Sequence, residues 1–330
     1  VTSPFLPGAP RLLCGAIAAL ALALTQTPAA QAQAYPTKPV KIIVPYAAAG
    51  GTDILSRIVA DKLTQSLGQS FVVENRPGAN GVIGSEVIAK SPPDGYNLMV
   101  VVGTHVINPY LQKKVPYDPL KDFASVTLVA TSPMVIVSGL QQPFSDIKGL
   151  IAHARANPGK LSVGNSEAVT MLTGELFKSM AKVEMTPVAY KGGGPLMTDV
   201  IGGHIPVGVT SLTTSLQHYK SGKLRVLGVG SNKRNAAMPD VPTVSEAGLP
   251  GYEAISWYGM LAPSGTPQAV TRKLQAEIHK IVADPAVRER FAGLGADGVG
   301  NTPEEFGAFL KTESEKWGKI IKDIGLQPTD

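Results

Sequence analysis

Twice along this chain a short β-branched run gives way to a small-residue loop and then to apolar residues three to four positions apart. The first instance begins at Val40–Pro45 (VKIIVP), which reads as a buried strand. Ala47–Thr52 follows as a loop. Asp53 then opens a helical pattern in which Ile54, Ile58, Val59 and Leu63 share one face. Asp53 suits an N-cap or a first-turn position. Phe71–Glu74 is the next strand, Arg76-Pro77-Gly78 a turn and Val82–Ala89 a helix. The turn Pro92-Pro93-Asp94-Gly95 leads to the strand Leu98–Val102. Strands alternating with helices in this way build a mostly parallel sheet. The pattern recurs as strand Lys160–Val163, helix Val169–Ala181, strand Met185–Ala189, helix Gly194–Ile201 and strand Ile205–Val209, with Leu224–Gly228 a further strand. Two such units imply two lobes.

Val126–Val137 (VTLVATSPMVIV) and Ala254–Ala262 (AISWYGMLA) are each too long for one strand of a small sheet. They read as crossovers from lobe to lobe. The first lobe is then discontinuous, residues 35–129 and 257–330, and is closed by helices Pro267–Ala283, Pro285–Leu294 and Pro303–Ile324. Residues 130–256 form the second lobe. The expected fold class is α/β, with two mixed, mostly parallel sheets joined by two crossover strands that serve as a hinge.

Residues 1–34 read as a signal peptide. Arg11 is the only charged side chain there, the apolar run Leu12–Leu24 follows, and Ala30-Gln31-Ala32 supplies a small-residue cleavage site. The run falls short of the ~20 residues that a membrane-spanning helix needs; a retained anchor is the alternative. The sole cysteine, Cys14, lies inside this segment, so export would leave a chain with no disulfide, thiolate nucleophile or Cys-based metal site. The formal net charge of +5 is spread along the chain without a basic block, which argues against nucleic acid and suits a mild attraction for small anions.

The segment Tyr46–Asp53, with Ala49, Gly50, Gly51 and Thr52 at its centre, joins a strand's carboxyl end to a helix start. Ligands of open α/β sheets sit at such ends. Free N–H groups and the helix dipole there favour an anion, and glycines allow close approach to the backbone. An ordinary tight βα loop is the plain alternative. Tyr190-Lys191-Gly192-Gly193 repeats the arrangement in the second unit, with Pro195 suited to a helix start. Thr104 and His105 lie at another carboxyl end of the first sheet and are candidates for the same cleft. Asn165 and Ser166, after the strand Lys160–Val163, can donate to a carboxylate, whereas Glu167 would repel one. Gly78–Gly84 has the spacing G-x-x-G-x-x-G, which fails the dinucleotide fingerprint. No G-x-S-x-G nucleophile elbow is present, and no histidine stands at metal-ligand spacing from another ligand type. No cofactor and no metal is expected.

These stretches together resemble the Bug family, the substrate-binding receptors of tripartite tricarboxylate transporters. The resemblance rests on YPTKPVKIIVPYAAAGGTDILSRIVADKL, VVENRPGANGVIGSEVIAKSPPDGYNLMV, VAYKGGGPLMTDVIGGHI and VPTVSEAGLPGYEAISWYGMLAPSGTP, among others, and spans the chain beyond the leader. It implies a periplasmic binding protein of the two-lobed, type II, Venus-flytrap kind, monomeric, which delivers an organic acid to a membrane permease without catalysis. It also implies that the ligand carboxylate sits between Tyr46–Asp53 and Tyr190–Gly193. Two departures bear on specificity. Glu167 and Met171 stand where the family typically has a Gly/Ser-rich turn and a His, and Thr210 and Ser211 stand where many relatives carry an acidic residue. The rival readings are a ligand sensor docking on a membrane signalling protein and an enzyme on the same scaffold.

Overall fold

A computed structural model describes residues 1–4, 35–323 and 325–328. The apolar run and cleavage site expected of a signal peptide, and Cys14, lie outside the described residues.

The first sheet is built on β1 (Val40–Val44), β2 (Phe71–Asn75) and β3 (Asn97–Val101), all parallel, with β1 in the middle. Helices α1 (Gly51–Leu67) and α2 (Val82–Ala89) make the crossovers that parallel pairing requires. A further helix, α3 (Thr104–Leu111), follows β3 and carries Pro109 inside it. The chain then enters the 17-residue strand β4 (Phe123–Gly139).

The second sheet comprises β5 (Ser162–Asn165), β6 (Thr186–Ala189), β7 (Val207–Ser211) and β8 (Leu224–Val229). Helices α4 (Ile147–Ala156), α5 (Ala168–Ala181), α6 (Gly193–Gly202) and α7 (Leu212–Lys220) connect them. β5 pairs in parallel with β6 and β7. The chain returns through β9 (Ile255–Pro263), and α8 (Gln268–Ala283), α9 (Pro285–Ala292), the two-residue β10 (Asp297–Gly298) and α10 (Pro303–Asp323) complete the fold.

β4 belongs to both sheets. From Phe123 to Pro133 it pairs antiparallel with β9, which itself lies against β3. From Met134 to Gly139 it pairs antiparallel with β7 and β8. The second crossing falls at the start of β9. There Gly230 N–H donates to Met134 O (2.7 Å), Met134 N–H to Ala254 O (2.9 Å) and Ala254 N–H to Gly230 O (2.8 Å). Both sheets are therefore mixed. The βαβ strands pair in parallel with one another, and β4 and β9 run antiparallel to the strands they meet, including β8 at the edge of the second sheet.

Each sheet has its own apolar core. In the first, Ile43, Met99, Val101, Leu128, Trp257 and Phe306 pack together; in the second, Val135, Val137, Leu196, Val200, Leu216 and Val226 do. Among the described residues no helix is long and apolar enough to cross a membrane.

Candidate functional site

The first-lobe loop is held in shape from below. Asp53, in the first turn of α1 and nearly buried, accepts the Ala49 N–H through Oδ2 (3.1 Å) and pairs through Oδ1 with Arg57 Nη2 (2.9 Å). Arg57 Nη2 also donates to Asn75 Oδ1 (3.0 Å), and Asn75 Nδ2 to Tyr46 O (3.0 Å). The ends of β1, α1 and β2 are thus tied into one unit. Burial works against the charge on Asp53, but the Arg57 guanidinium and the Ala49 N–H outweigh it and hold the carboxyl below its ordinary value. Asp53 supports the loop; its two carboxylate oxygens are occupied by its own lobe.

The second-lobe loop is anchored likewise. Tyr190 N–H donates to Asn165 O (2.8 Å) and Tyr190 Oη to Asp199 Oδ2 (2.8 Å). Gly192 has φ 156°, and a Cβ placed on it would lie 2.8 Å from the Ala47 Cβ of the opposite loop. Only a glycine lets the two loops meet so closely. Ala47 N–H reaches Lys191 O at 3.4 Å, and a Cβ on Gly50 would sit 3.6 Å from Gly193 N. Across the same gap Gly51 N–H, at the start of α1, donates to Thr214 Oγ1 on α7 (2.8 Å).

Behind this contact is a small cavity of about 20 Å³ between the lobes. Its wall includes Gly51, Thr52, Ser166, Glu167, Thr170, Thr210, Ser211, Thr214, Ser256 and Tyr258, with Val102, Met134 and Val169. Hydroxyl groups dominate the wall, and no Lys, Arg or His contributes to it. Tyr258, 1% exposed, points its hydroxyl here with no hydrogen-bond partner among the described residues. A Cβ on Gly51 would approach the Tyr258 Oη to 2.6 Å and Ser211 Oγ to 2.9 Å, so Gly51 leaves the space that exists. Two further cavities adjoin, of about 170 Å³ beside Tyr46, Gly81, Ser166, Tyr190 and Lys191, and about 190 Å³ beside Asn80, Asn165, Glu167 and Met171. Ser166 and Glu167 thus divide the three. Glu167 is partly buried; removal from water pushes its carboxyl up to about 7, against the pull of Ser166 Oγ, which donates to Glu167 Oε2 at 2.6 Å.

Of the candidates read from sequence, Gly51, Thr52, Ser166 and Thr210 line the central cavity. Tyr46, Tyr190 and Lys191 line the second and Asn165 the third. Ala49, Gly50, Gly192 and Gly193 form the loop contact. Thr104 is buried at the lobe junction, where its Oγ1 accepts the Val169 N–H (3.4 Å). His105 is a correction. Its ring is buried in the first lobe, stacked on Tyr117 and edge-on to Phe123, with Nε2 against Pro119 O (3.1 Å). Burial lowers it to about 4, so it is a neutral core side chain that does not face the cleft. It lies in the first turn of α3, which turns it into the first lobe, whereas its place at the carboxyl end of β3 had made it a candidate for the cleft. Sequence reasoning missed Thr214, Ser256 and Tyr258 as site residues. A signal existed for Thr214: the hydroxyl run Thr210-Ser211-Leu212-Thr213-Thr214-Ser215 follows directly on a strand's carboxyl end.

Two α/β lobes, joined by a shared strand and facing each other through opposed glycine loops, define a solute-binding protein of the two-lobed class. The family model for the tripartite tricarboxylate transporter family receptor matches residues 55–326. The chain belongs to that receptor family, to which the Bug proteins also belong. A UPF0065 protein in the tcbD-tcbE intergenic region of Pseudomonas sp. (strain P51) is 38% identical over 322 residues, 97% of this chain and 95% of that protein. The periplasmic binding protein BugD superposes with a TM-score of 0.86 at 34% identity, covering 89% of this chain and 100% of that one. R. palustris Rpa4515 with adipate superposes with a TM-score of 0.87 at 33% identity, again over 89% and 100%.

Proposed function

We propose that this chain is a periplasmic receptor that captures a small organic carboxylate between its lobes and passes it, unchanged, to the permease of a tripartite tricarboxylate transporter. The observation that carries the reading is the meeting of the loops Tyr46–Asp53 and Tyr190–Gly193, each ahead of a helix N-terminus, over a cavity walled by hydroxyls. Backbone N–H groups at helix starts suit a carboxylate. The adipate held by a relative of the same fold supports the ligand class. In this reading Ala49–Thr52, Gly192 and Gly193 bring backbone groups to the ligand. Thr104, Asn165, Ser166 and Thr210 surround it with polar atoms, and Tyr46, Tyr190 and Lys191 line its approach. Asp53 fixes the first loop and His105 has no part. Residues 35–129 and 257–330 move as one lobe against 130–256, the leader directs export, and the receptor acts as a monomer.

A cavity of about 20 Å³ holds little more than one water. The lobes must therefore separate or shift to admit an acid. The test is a thermal-shift screen of the unfolded and refolded protein against mono-, di- and tricarboxylates, aromatic acids and amino acids. A ligand at ~100 times its dissociation constant stabilises by roughly 2.7 kcal/mol, a rise of a few degrees for a chain of this size. A rise with one acid class, and recovery of the acid unaltered, is expected. A converted product would replace this reading with an enzyme.

A further inference from the structure

The wall of the central cavity carries one carboxylate and no cation. Ser166, Thr170, Thr210, Ser211, Thr214 and Tyr258 surround it with neutral hydroxyls, and only Glu167 among these groups is an acid in the ordinary range. Lys191, the cation of the second-lobe loop, is exposed and lines a different cavity. Glu167 stands at the junction of the central cavity and the 190 Å³ cavity beside Asn165 and Met171. Ser166 Oγ donates to its Oε2, so the carboxylate is presented at the boundary rather than turned to solvent.

Glu167 also occupies the N-cap position of α5. A cap explains an acidic residue at a helix start. It does not explain why the only acid of the wall lines a cleft with no positive partner, in a wall that also holds the unpartnered Tyr258 hydroxyl. A dicarboxylate closed into this space would place one carboxylate on the loop N–H groups and bring its second to Glu167 with no side-chain cation in the wall, so that contact needs a proton to be taken up or costs two like charges away from water. An acid bearing an ammonium group would present its carboxylate to the loop N–H groups and its cation to Glu167, and the enclosed charges would pair.

On the reading of this chain as a carboxylate receptor, we propose that Glu167 is the specificity-determining residue of the cleft and selects an amino-substituted carboxylic acid over a dicarboxylic one. The neutral hydroxyls, Tyr258 Oη among them, complete the hydrogen bonding of the ammonium and orient it. Asn165 and Met171 bound the space on the far side of Glu167 and limit the size of the carbon chain.

The experiment is calorimetric titration of refolded protein, wild type and Glu167→Gln, with matched acids of equal chain length. Each set holds an α- or ω-amino acid, the dicarboxylate and the unsubstituted monocarboxylate. Gln keeps the size and a hydrogen-bonding cap while removing the charge. In the wild type the best amino acid is expected to bind at least about tenfold tighter than its dicarboxylate, and Glu167→Gln to reduce that preference by about tenfold, the scale of one charge-assisted hydrogen bond. Dicarboxylates that bind the wild type as tightly as amino acids, or a preference unmoved by Glu167→Gln, overturn the proposal and leave the receptor reading standing. Absence of binding by every acid, with native unfolding behaviour retained, overturns both.

Discussion

Asp53, beneath the first-lobe loop, and Glu167, in the wall of the cleft, are pushed in opposite directions by their surroundings. The sign of each follows by linkage. Asp53 is held below its ordinary value by Arg57 and the Ala49 N–H despite its burial, so its contribution is present at neutral pH and is lost as the pH falls through its folded value. Asp53→Asn should lower the unfolding midpoint at neutral pH, and the deficit should shrink below about pH 4 as the wild type loses the same interaction. Glu167 is raised by burial to about 7, so the proton-bound form favours the closed, ligand-free arrangement. The charged or titratable groups that act on it are Tyr46 and Tyr258, both raised by burial and neutral. Ligand-free protein should therefore lose stability as the pH rises from about 4.5 to about 7 and level off above that, and Glu167→Gln should flatten that slope. Thermal unfolding across pH reads both acids. Gly51 makes a third prediction. A Cβ would meet Tyr258 Oη and Ser211 Oγ, so Gly51→Ala should weaken carboxylate binding by about tenfold or more while the fold persists, as titration and circular dichroism would register.

At the scale of elements, the joints are where substitution should cost most. Gly230 sits in the three-way backbone contact where the chain crosses between sheets, and a Cβ there would lie 2.7 Å from Ala254 O and 2.9 Å from Met134 O. Backbone atoms cannot swing aside. Gly230→Ala should destabilise by about 1–3 kcal/mol in urea unfolding. α10 docks through Glu313, whose Oε2 accepts the indole N–H of both Trp257 on β9 and Trp317 on α10, each at 3.0 Å. Glu313→Ala strands two buried donors and should cost at least about 2 kcal/mol, with little change in ligand preference.

The elements also account for what the sequence disclosed. β1, α1, α2 and the strands of the second unit were legible, because their apolar residues repeat at two or three to four positions and glycine or proline punctuates them. The helices α3 and α7 were not delimited. Pro109 interrupts the first, and the second follows β7 without a loop and begins with hydroxyl residues. The glycine loops announced themselves as anion sites through their place between strand and helix. Ser256 and Tyr258 did not, since ISWYGMLA reads as an apolar strand. Only the register of β9 turns those two to the cavity while Trp257 faces the core between Phe306, Phe309 and Glu313. Likewise no sequence pattern distinguishes a His105 turned into the cleft from one stacked on Tyr117.

For the whole molecule the central claim is capture by relative movement of the lobes. Among the described residues, the hydrogen bonds across the mouth of the cleft include Gly51 to Thr214, Val169 to Thr104 and Ala47 to Lys191, the last two long at 3.4 Å. Contacts of that kind contribute modestly and separate readily. Cys14 is the sole cysteine of the sequence, so a Cys14→Ser background permits labels at exposed Ser66 on α1 and Ser179 on α5, one in each lobe. The measurement is the distribution of distances between those labels, without ligand and with the acid that binds best. The account predicts a broad ligand-free distribution, with open members, that narrows to one population on binding. Saturating acid that leaves the distribution unchanged would contradict capture between moving lobes.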